Sequence, residues 1–333
     1  MDRRTFTSTL AGLAAGSAAW LTGRASLSGK RRHDSSAPAS TAGPLSVSSL
    51  PARRLGRTGL QVPILSPGGH HLGLASSESE ARRIVEAALE EGVRFFDTAE
   101  SYQRGRSERW LGAALEGVRG DVLLMTKTHS PRDRSAESAR RHLEGHLERL
   151  RTDYLDLWQL HSIKSAADVD RAFSPGGAME YILEAKERGL VRFVGVTGHV
   201  TPAAHLRALE HWDRGWRFDT FQFPVNPMDW HQRSFQRALL EEAARRDIGV
   251  IAMKTSADGR LLRDGICTIE ECLRYVWSLP VSVAVVGMET PELVRRNAEV
   301  ARRFAALDEV EMQALRERIR LHANLELEWY KSP

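Results

Sequence analysis

From Pro51 onward the chain alternates short apolar runs with longer amphipathic stretches, almost to its C-terminus. The short runs are Val62 to Ser66, Val93 to Asp97, Val122 to Thr126, Tyr154 to Leu160, Val191 to Val196, Thr220 to Phe223, Gly249 to Met253 and Val281 to Val286. Such runs, bounded by turn residues, read as buried strands. Helical patterns lie between them. Ser77 to Glu91 places Ile84, Val85, Ala88 and Leu89 on one stripe behind a Ser77/Glu80 capping box, and Ala136 to Leu150 aligns Leu143, Leu147 and Leu150. Strands alternating with helices signal parallel β/α units. Eight such units in about the ~250 residues typical of these barrels predict an α/β fold closed into a (β/α)8 TIM barrel over residues 51–333, with an open doubly wound sheet as the alternative. Arg53 to Val62, with Gly56 and Gly59 around a turn, predicts an N-terminal hairpin capping the barrel floor. Asp308 to Leu327 keeps helical spacing with no strand after it, which predicts an extra C-terminal helix on the outside.

The first 50 residues break this rhythm. Met1 to Arg24 carries the pair Arg3-Arg4, then Thr5-Phe6, then an apolar run from Leu10 to Leu21. Residues 1–25 resemble a twin-arginine export signal, and residues 26–50, rich in Ser, Ala, Pro and Gly, read as a flexible linker. The resemblance implies recognition by the twin-arginine export machinery and a periplasmic or otherwise extracytoplasmic location. The run is shorter than the ~20 apolar residues a bilayer span needs, so no stable membrane span is expected.

Composition narrows the function classes. The 333 residues, 42% hydrophobic, carry 47 basic and 43 acidic side chains, for a net charge of +4. Arg3, Arg4, Arg24, Lys30, Arg31 and Arg32 hold part of that excess, leaving a near-neutral body without the clustered basic face of a nucleic-acid binder. Cys267 and Cys272, the only cysteines, suit neither a disulfide framework nor a metal knuckle.

In a barrel of this type the reacting groups follow the C-terminal ends of the strands. Asp97 ends the second run, Tyr102 follows five residues later, Lys127 ends the third and His161 ends the fourth. With only six lysines in the chain, a Lys directly after an apolar run is a pointed choice. These four groups suit reversible hydride transfer to a carbonyl, because the oxygen that becomes an alkoxide must receive a proton from a positioned acid. A Tyr ordinarily holds its proton to pH ≈ 10; an adjacent ammonium favours the phenolate, an Asp keeps that ammonium charged, and an imidazole can bond the carbonyl oxygen.

The segments FFDTAESYQRGRSERWLG, LLMTKTHS and YLDLWQLHS, in that order, resemble the Asp, Tyr, Lys and His segments of the aldo-keto reductase superfamily, and RRLGRTGLQV is similar to its opening hairpin. The resemblance runs from about Arg53 to about Arg302. It implies Tyr102 as general acid, Lys127 and Asp97 as the pair that sets its pKa, His161 as substrate orienter, and NADPH as cofactor with NADH as the alternative. VRFVGVTGH resembles the segment that ends in Ser-Asn and holds the nicotinamide amide, with Thr197 and Gly198 in those places, and Gln222 matches a further amide contact. VIAMKTSADGRL resembles the pyrophosphate loop, bringing in Met253, which stands where many members have a stacking Tyr, with Lys254 and Arg260. VVGMETPELVRRNAE resembles the adenosine-phosphate segment, with Asn297 at the adenine. There Gly287 and Met288 replace a Lys-Ser pair and Leu293 an Arg, so the 2′-phosphate charge falls to Arg260, Arg295 or Arg296. Gly69, after the first strand, joins the cofactor set. No GxGxxG follows a strand, which disfavours a Rossmann reading.

The expected activity is reduction of an aldehyde or ketone to an alcohol. The alternative is a nicotinamide-binding sensor or subunit with negligible turnover. His70, His71, His129 and His199 also follow predicted strands, but they lack the accompanying carboxylates and His-x-His spacing of barrel metallohydrolases, so pocket lining is expected and no metal.

Overall fold

Along a β-strand successive side chains face opposite ways, so each barrel strand must feed two cores, one inside the ring and one between strands and helices. The computed structural model, which describes residues 49–128, 132–263 and 265–332, shows both. Residues 1–48, which include the signal-like segment and nearly all of the linker, and His129 lie outside the described residues. Two strands, β1 (Ala52–Arg54) and β2 (Gln61–Pro63), pair antiparallel with Arg53 opposite Val62. Eight parallel strands follow: β3 (Leu65–Pro67), β4 (Phe95–Asp97), β5 (Leu123–Thr128), β6 (Leu155–Leu160), β7 (Val191–Thr197), β8 (Thr220–Pro224), β9 (Gly249–Met253) and β10 (Val283–Val286). Their order, β3-β10-β9-β8-β7-β6-β5-β4, is that of a barrel. One parallel bridge, Gly68 to Asp97, joins β4 back to β3 and closes the ring.

The inner layer collects Phe95, Met125, Leu157, Ile251, Val283 and Val285, while the alternate residues Phe96, Leu124, Trp158, Val250, Ala252 and Ala284 pack outward against the helices. Leu55 and Val62 from the hairpin join the inner layer, so the hairpin plugs the floor as expected. Its turn, Gly56–Thr58, lies so close to the barrel that a Cβ on Gly56 would sit 2.2 Å from the Gly249 nitrogen; Gly56 also has φ +49°. The Arg57 amide donates to Asp247 O at 2.7 Å across the same contact. This pairing accounts for the one displaced strand. The run Val62 to Ser66 is divided: Val62 belongs to the hairpin ladder and the barrel strand begins at Leu65.

The helices follow their caps. Ser77 accepts from the Glu80 amide at 3.2 Å to start Glu78–Glu90, and Ser135 from the Ser138 amide at 3.1 Å to start Ala136–Leu150. The outer C-terminal helix, Glu309–Arg320, opens on an Asp308/Glu311 capping box and stops short of Leu327. The residues after it turn back toward the barrel mouth. Among the described residues no helix is long and apolar enough to cross a membrane.

Candidate active site

At the C-terminal ends of the strands the inward positions change character: two residues beyond Phe95 stands Asp97, two beyond Met125 stands Lys127, and two beyond Leu157 stands Gln159. The side-chain alternation that builds the inner core thus also aims these polar groups inward. Lys127 is 1% exposed, a burial an ammonium tolerates only when paired. It is ion-paired to Asp97 Oδ1 and donates to Thr98 O at 2.8 Å and to the Tyr102 hydroxyl at 3.3 Å. The Tyr102 ring lies edge-on to His161, with centroids 6.0 Å apart, and edge-on to His70 at 5.3 Å. Asp97, Tyr102, Lys127 and His161 are therefore brought together.

The electrostatics differ in one respect from expectation. Burial pushes the Tyr102 phenol above its ordinary value; Lys127 pulls it down without prevailing. Burial works against the charged Lys127 as well, yet Asp97 and Tyr102 outweigh it and hold the ammonium above its usual range. At neutral pH the pair is thus a protonated phenol bonded to a charged ammonium.

Asp97 and Tyr102 open onto a cavity of about 860 Å³ that runs past Gln222, Met253 and Lys254 to Asn297. Two buried acceptors on this route, Gln222 Oε1 and Asn297 Oδ1, find no hydrogen-bond partner among the described residues. An unpaired buried amide oxygen is costly, so both read as waiting for a donor. Beyond β9, Lys254 pairs with Asp258 at 2.8 Å, and Lys254, Ala257 and Asp258 all have positive φ. Burial would raise the Asp258 carboxyl, but Lys254 holds it below the ordinary range.

A sequence model of the aldo/keto reductase family matches residues 65–266, well over half of the chain. The chain belongs to the aldo/keto reductase family. It is 30% identical over 154 residues to an uncharacterized oxidoreductase, YqkF, of Bacillus subtilis, the match covering 44% of this chain and 48% of that protein. It is 34% identical over 155 residues to L-galactose dehydrogenase of Arabidopsis thaliana, covering 44% and 48%. The chain thus spans about half the length of these curated relatives. The fold is shared with an aldo-keto reductase from Klebsiella pneumoniae solved in complex with NADPH, at a TM-score of 0.66 and 22% identity, covering 85% of this chain and 96% of that one.

Within this family member the remaining expected contacts divide. Gln222, Met253, Lys254, Gly287 and Asn297 line the cavity. Thr197, Gly198, Gly69, Arg260 and Met288 do not. Thr197 is buried at the end of β7, and a Cβ at Gly198 would lie 2.6 Å from Ile163 O, so no longer side chain fits where the family pattern has Asn. A Cβ at Gly69 would meet Asp97 O at 2.2 Å; its smallness lets the barrel close, and Gly68 is the neighbour that faces the cavity. Met288 is 1% exposed within the outer core, and Arg260 donates to Glu326 O at 2.9 Å. Of the arginines proposed for phosphate, Arg295 pairs with Glu90 on the surface, whereas Arg296 lines the cavity without an ion-pair partner among the described residues.

Of the histidines, His70 and His71 line the cavity, with ring centroids 5.6 Å apart. His71 Nδ1 contacts Glu289 at 2.5 Å, His199 donates to Tyr330 O at 2.7 Å, and Trp230 lies against Arg316, away from the cavity. The tail carries no code legible in the sequence, and none of its residues was expected at the site. Trp329 donates to Asp258 at 3.1 Å, and Lys331, fully buried, is held by Asp229 at 2.7 Å and Glu328 at 2.9 Å. Only the odd Lys-Ser-Pro ending after an aromatic pair could have drawn attention to it.

Proposed function

We propose that this protein reduces an aldehyde or ketone to the alcohol with NADPH, Tyr102 acting as general acid. The observation that carries the reading is the buried Lys127, bonded at once to Asp97 and to the Tyr102 hydroxyl at the edge of the large cavity. The donor set suits the cofactor. Gln222 Oε1 would accept from the carboxamide of the nicotinamide, Met253 would pack against its ring, Asn297 Oδ1 would accept from the adenine amine, and Arg296 would meet the 2′-phosphate. When bound, the reduced nicotinamide supplies the hydride. Tyr102, protonated at neutral pH, gives its proton to the carbonyl oxygen as negative charge develops there, and Lys127 stabilises the phenolate left behind. Asp97 keeps Lys127 charged and aimed. His161, beside Tyr102, orients the carbonyl oxygen.

The test is NADPH oxidation with a small aldehyde by wild type and Tyr102→Phe. Turnover in the first and its loss in the second, with cofactor still quenching protein fluorescence in both, is the expected result; quenching without turnover over a broad carbonyl panel would instead make this a nicotinamide-binding sensor. We propose further that residues 1–25 direct export, to be checked by the location of an Arg3→Lys, Arg4→Lys variant, which is expected to stay in the cytoplasm.

A further inference from the structure

Tyr102 is not held by the preferences of its own backbone. The three residues that follow, Gln103, Arg104 and Gly105, all have positive φ, 47°, 56° and 80°. Two of them carry side chains that disfavour this region, so the turn persists only if its flanks are anchored. The anchors begin at once. Tyr102 O accepts from the Gly105 and Ser107 amides at 3.2 and 3.5 Å, and Ser107 and Glu108 open the helix Arg106–Ala114, both fully buried.

Each of these two residues reaches a different strand of the site. Ser107 Oγ donates to Gly69 O at 2.6 Å and meets Thr98 Oγ1, next to Asp97, at 2.8 Å. Glu108 Oε1 accepts from Thr126 Oγ1, next to Lys127, at 2.5 Å. His146 Nδ1 bonds the same oxygen at 2.7 Å, and Arg149 Nε donates to Glu108 Oε2 at 2.5 Å, both from the helix Ala136–Leu150. His146 and Arg149 overcome the effect of burial and keep Glu108 ionised, below its ordinary range. His146 Nε2 and Arg149 Nη2 lie 4.0 and 3.7 Å from Glu100, on the loop between Asp97 and Tyr102. None of these groups touches the cavity.

We propose that Ser107 and Glu108 are positioning residues: a two-armed brace, one arm at Thr98 and the other at Thr126, that sets the separation of the Tyr102 hydroxyl and the Lys127 ammonium. This rests on the reading of Tyr102 and Lys127 as the reacting pair. Without the brace the strained turn relaxes, the Lys127 contact lengthens, and the phenol loses the cation that opposes burial.

The experiment compares wild type, Glu108→Gln and Ser107→Ala, using the phenol ultraviolet titration of Tyr102 (each protein minus its Tyr102→Phe counterpart) and steady-state kinetics. In Glu108→Gln, kcat is expected to fall on the order of tenfold to a hundredfold, with KM and NADPH affinity within about twofold, and the Tyr102 titration to move to higher pH. Loss of the carboxylate charge alone would move it lower, since a nearby anion disfavours phenolate. An unchanged or lowered titration in folded protein overturns the proposal, as does an unchanged kcat. Should Glu108→Gln fail to fold, Thr126→Val removes the same arm from the other side and is held to the same outcomes. If Tyr102→Phe retains wild-type turnover, the catalytic reading fails, and the titration still decides whether the brace sets the Tyr102–Lys127 separation.

Discussion

A lysine inside a barrel is tolerable because every donor is engaged, and that makes Lys127 the residue on which stability and the proposed chemistry meet. Its replacement by Met leaves the Asp97 carboxylate buried and unpaired; breaking a buried pair in this way costs about 3–5 kcal/mol. Chemical denaturation of Lys127→Met is expected to show a loss of that order along with loss of turnover. The pH dependence follows from the raised phenol. In the proposed role of donor, Tyr102 must be protonated, and a pKa above the ordinary tyrosine range keeps it so through neutrality, so the carbonyl-reduction rate should hold level across pH 6 to 9 in a rate profile and decline only beyond about pH 10. At the far end of the cavity, Arg296→Ala should weaken NADPH binding roughly tenfold while leaving NADH nearly unchanged, read by fluorescence titration, because a guanidinium on a phosphate is a charge-assisted contact.

Among the elements, the hairpin is the clearest case of a small piece with a large structural share. Leu55, 1% exposed, belongs to the inner layer of the barrel. Leu55→Ala is expected to cost about 2–5 kcal/mol in urea unfolding, with kcat/KM unaltered, since the floor lies at the opposite end of the strands from Tyr102. The barrel strands were readable because a strand covered on both faces writes itself as a continuous apolar run. The first misled because a hairpin strand and a barrel strand abut at Pro63 and Ile64 with no polar punctuation between them. The Asp, Tyr, Lys and His of the site were readable because each follows such a run. Gly198 and Met288 were not: whether a position faces the cavity or the outer core depends on which way one residue turns at a strand end, and local pattern does not encode it. The Ser107–Glu108 brace was hidden for a related reason, since its partners lie 9 to 41 residues away.

For the molecule as a whole, the groups that resist protonation decide where acid unfolds it. His205 is fully buried, with the rings of Phe221, Phe223 and Phe235 around it, and burial pulls its pKa from 6.5 down to about 4. The unfolded chain binds a proton that the folded one refuses. The stability from keeping His205 neutral is therefore complete above about pH 6.5 and is withdrawn as the pH falls toward 4, a difference of roughly 3 kcal/mol. His205→Phe should flatten the fall in melting temperature between pH 7 and pH 4.5; an unchanged slope would show that other groups govern it.

The ring of strands is fastened between its first two members by one bridge, Gly68 to Asp97, and that bridge stands beside the ion pair of Asp97 and Lys127. A hoop gives way at its clasp. Here the clasp lies in the wall of the candidate site, so any molecule lodged against both edges would act as a rivet. Occupancy and mechanical closure are then two descriptions of one event, and slow amide exchange around Asp97 in the loaded protein is how that event would be seen.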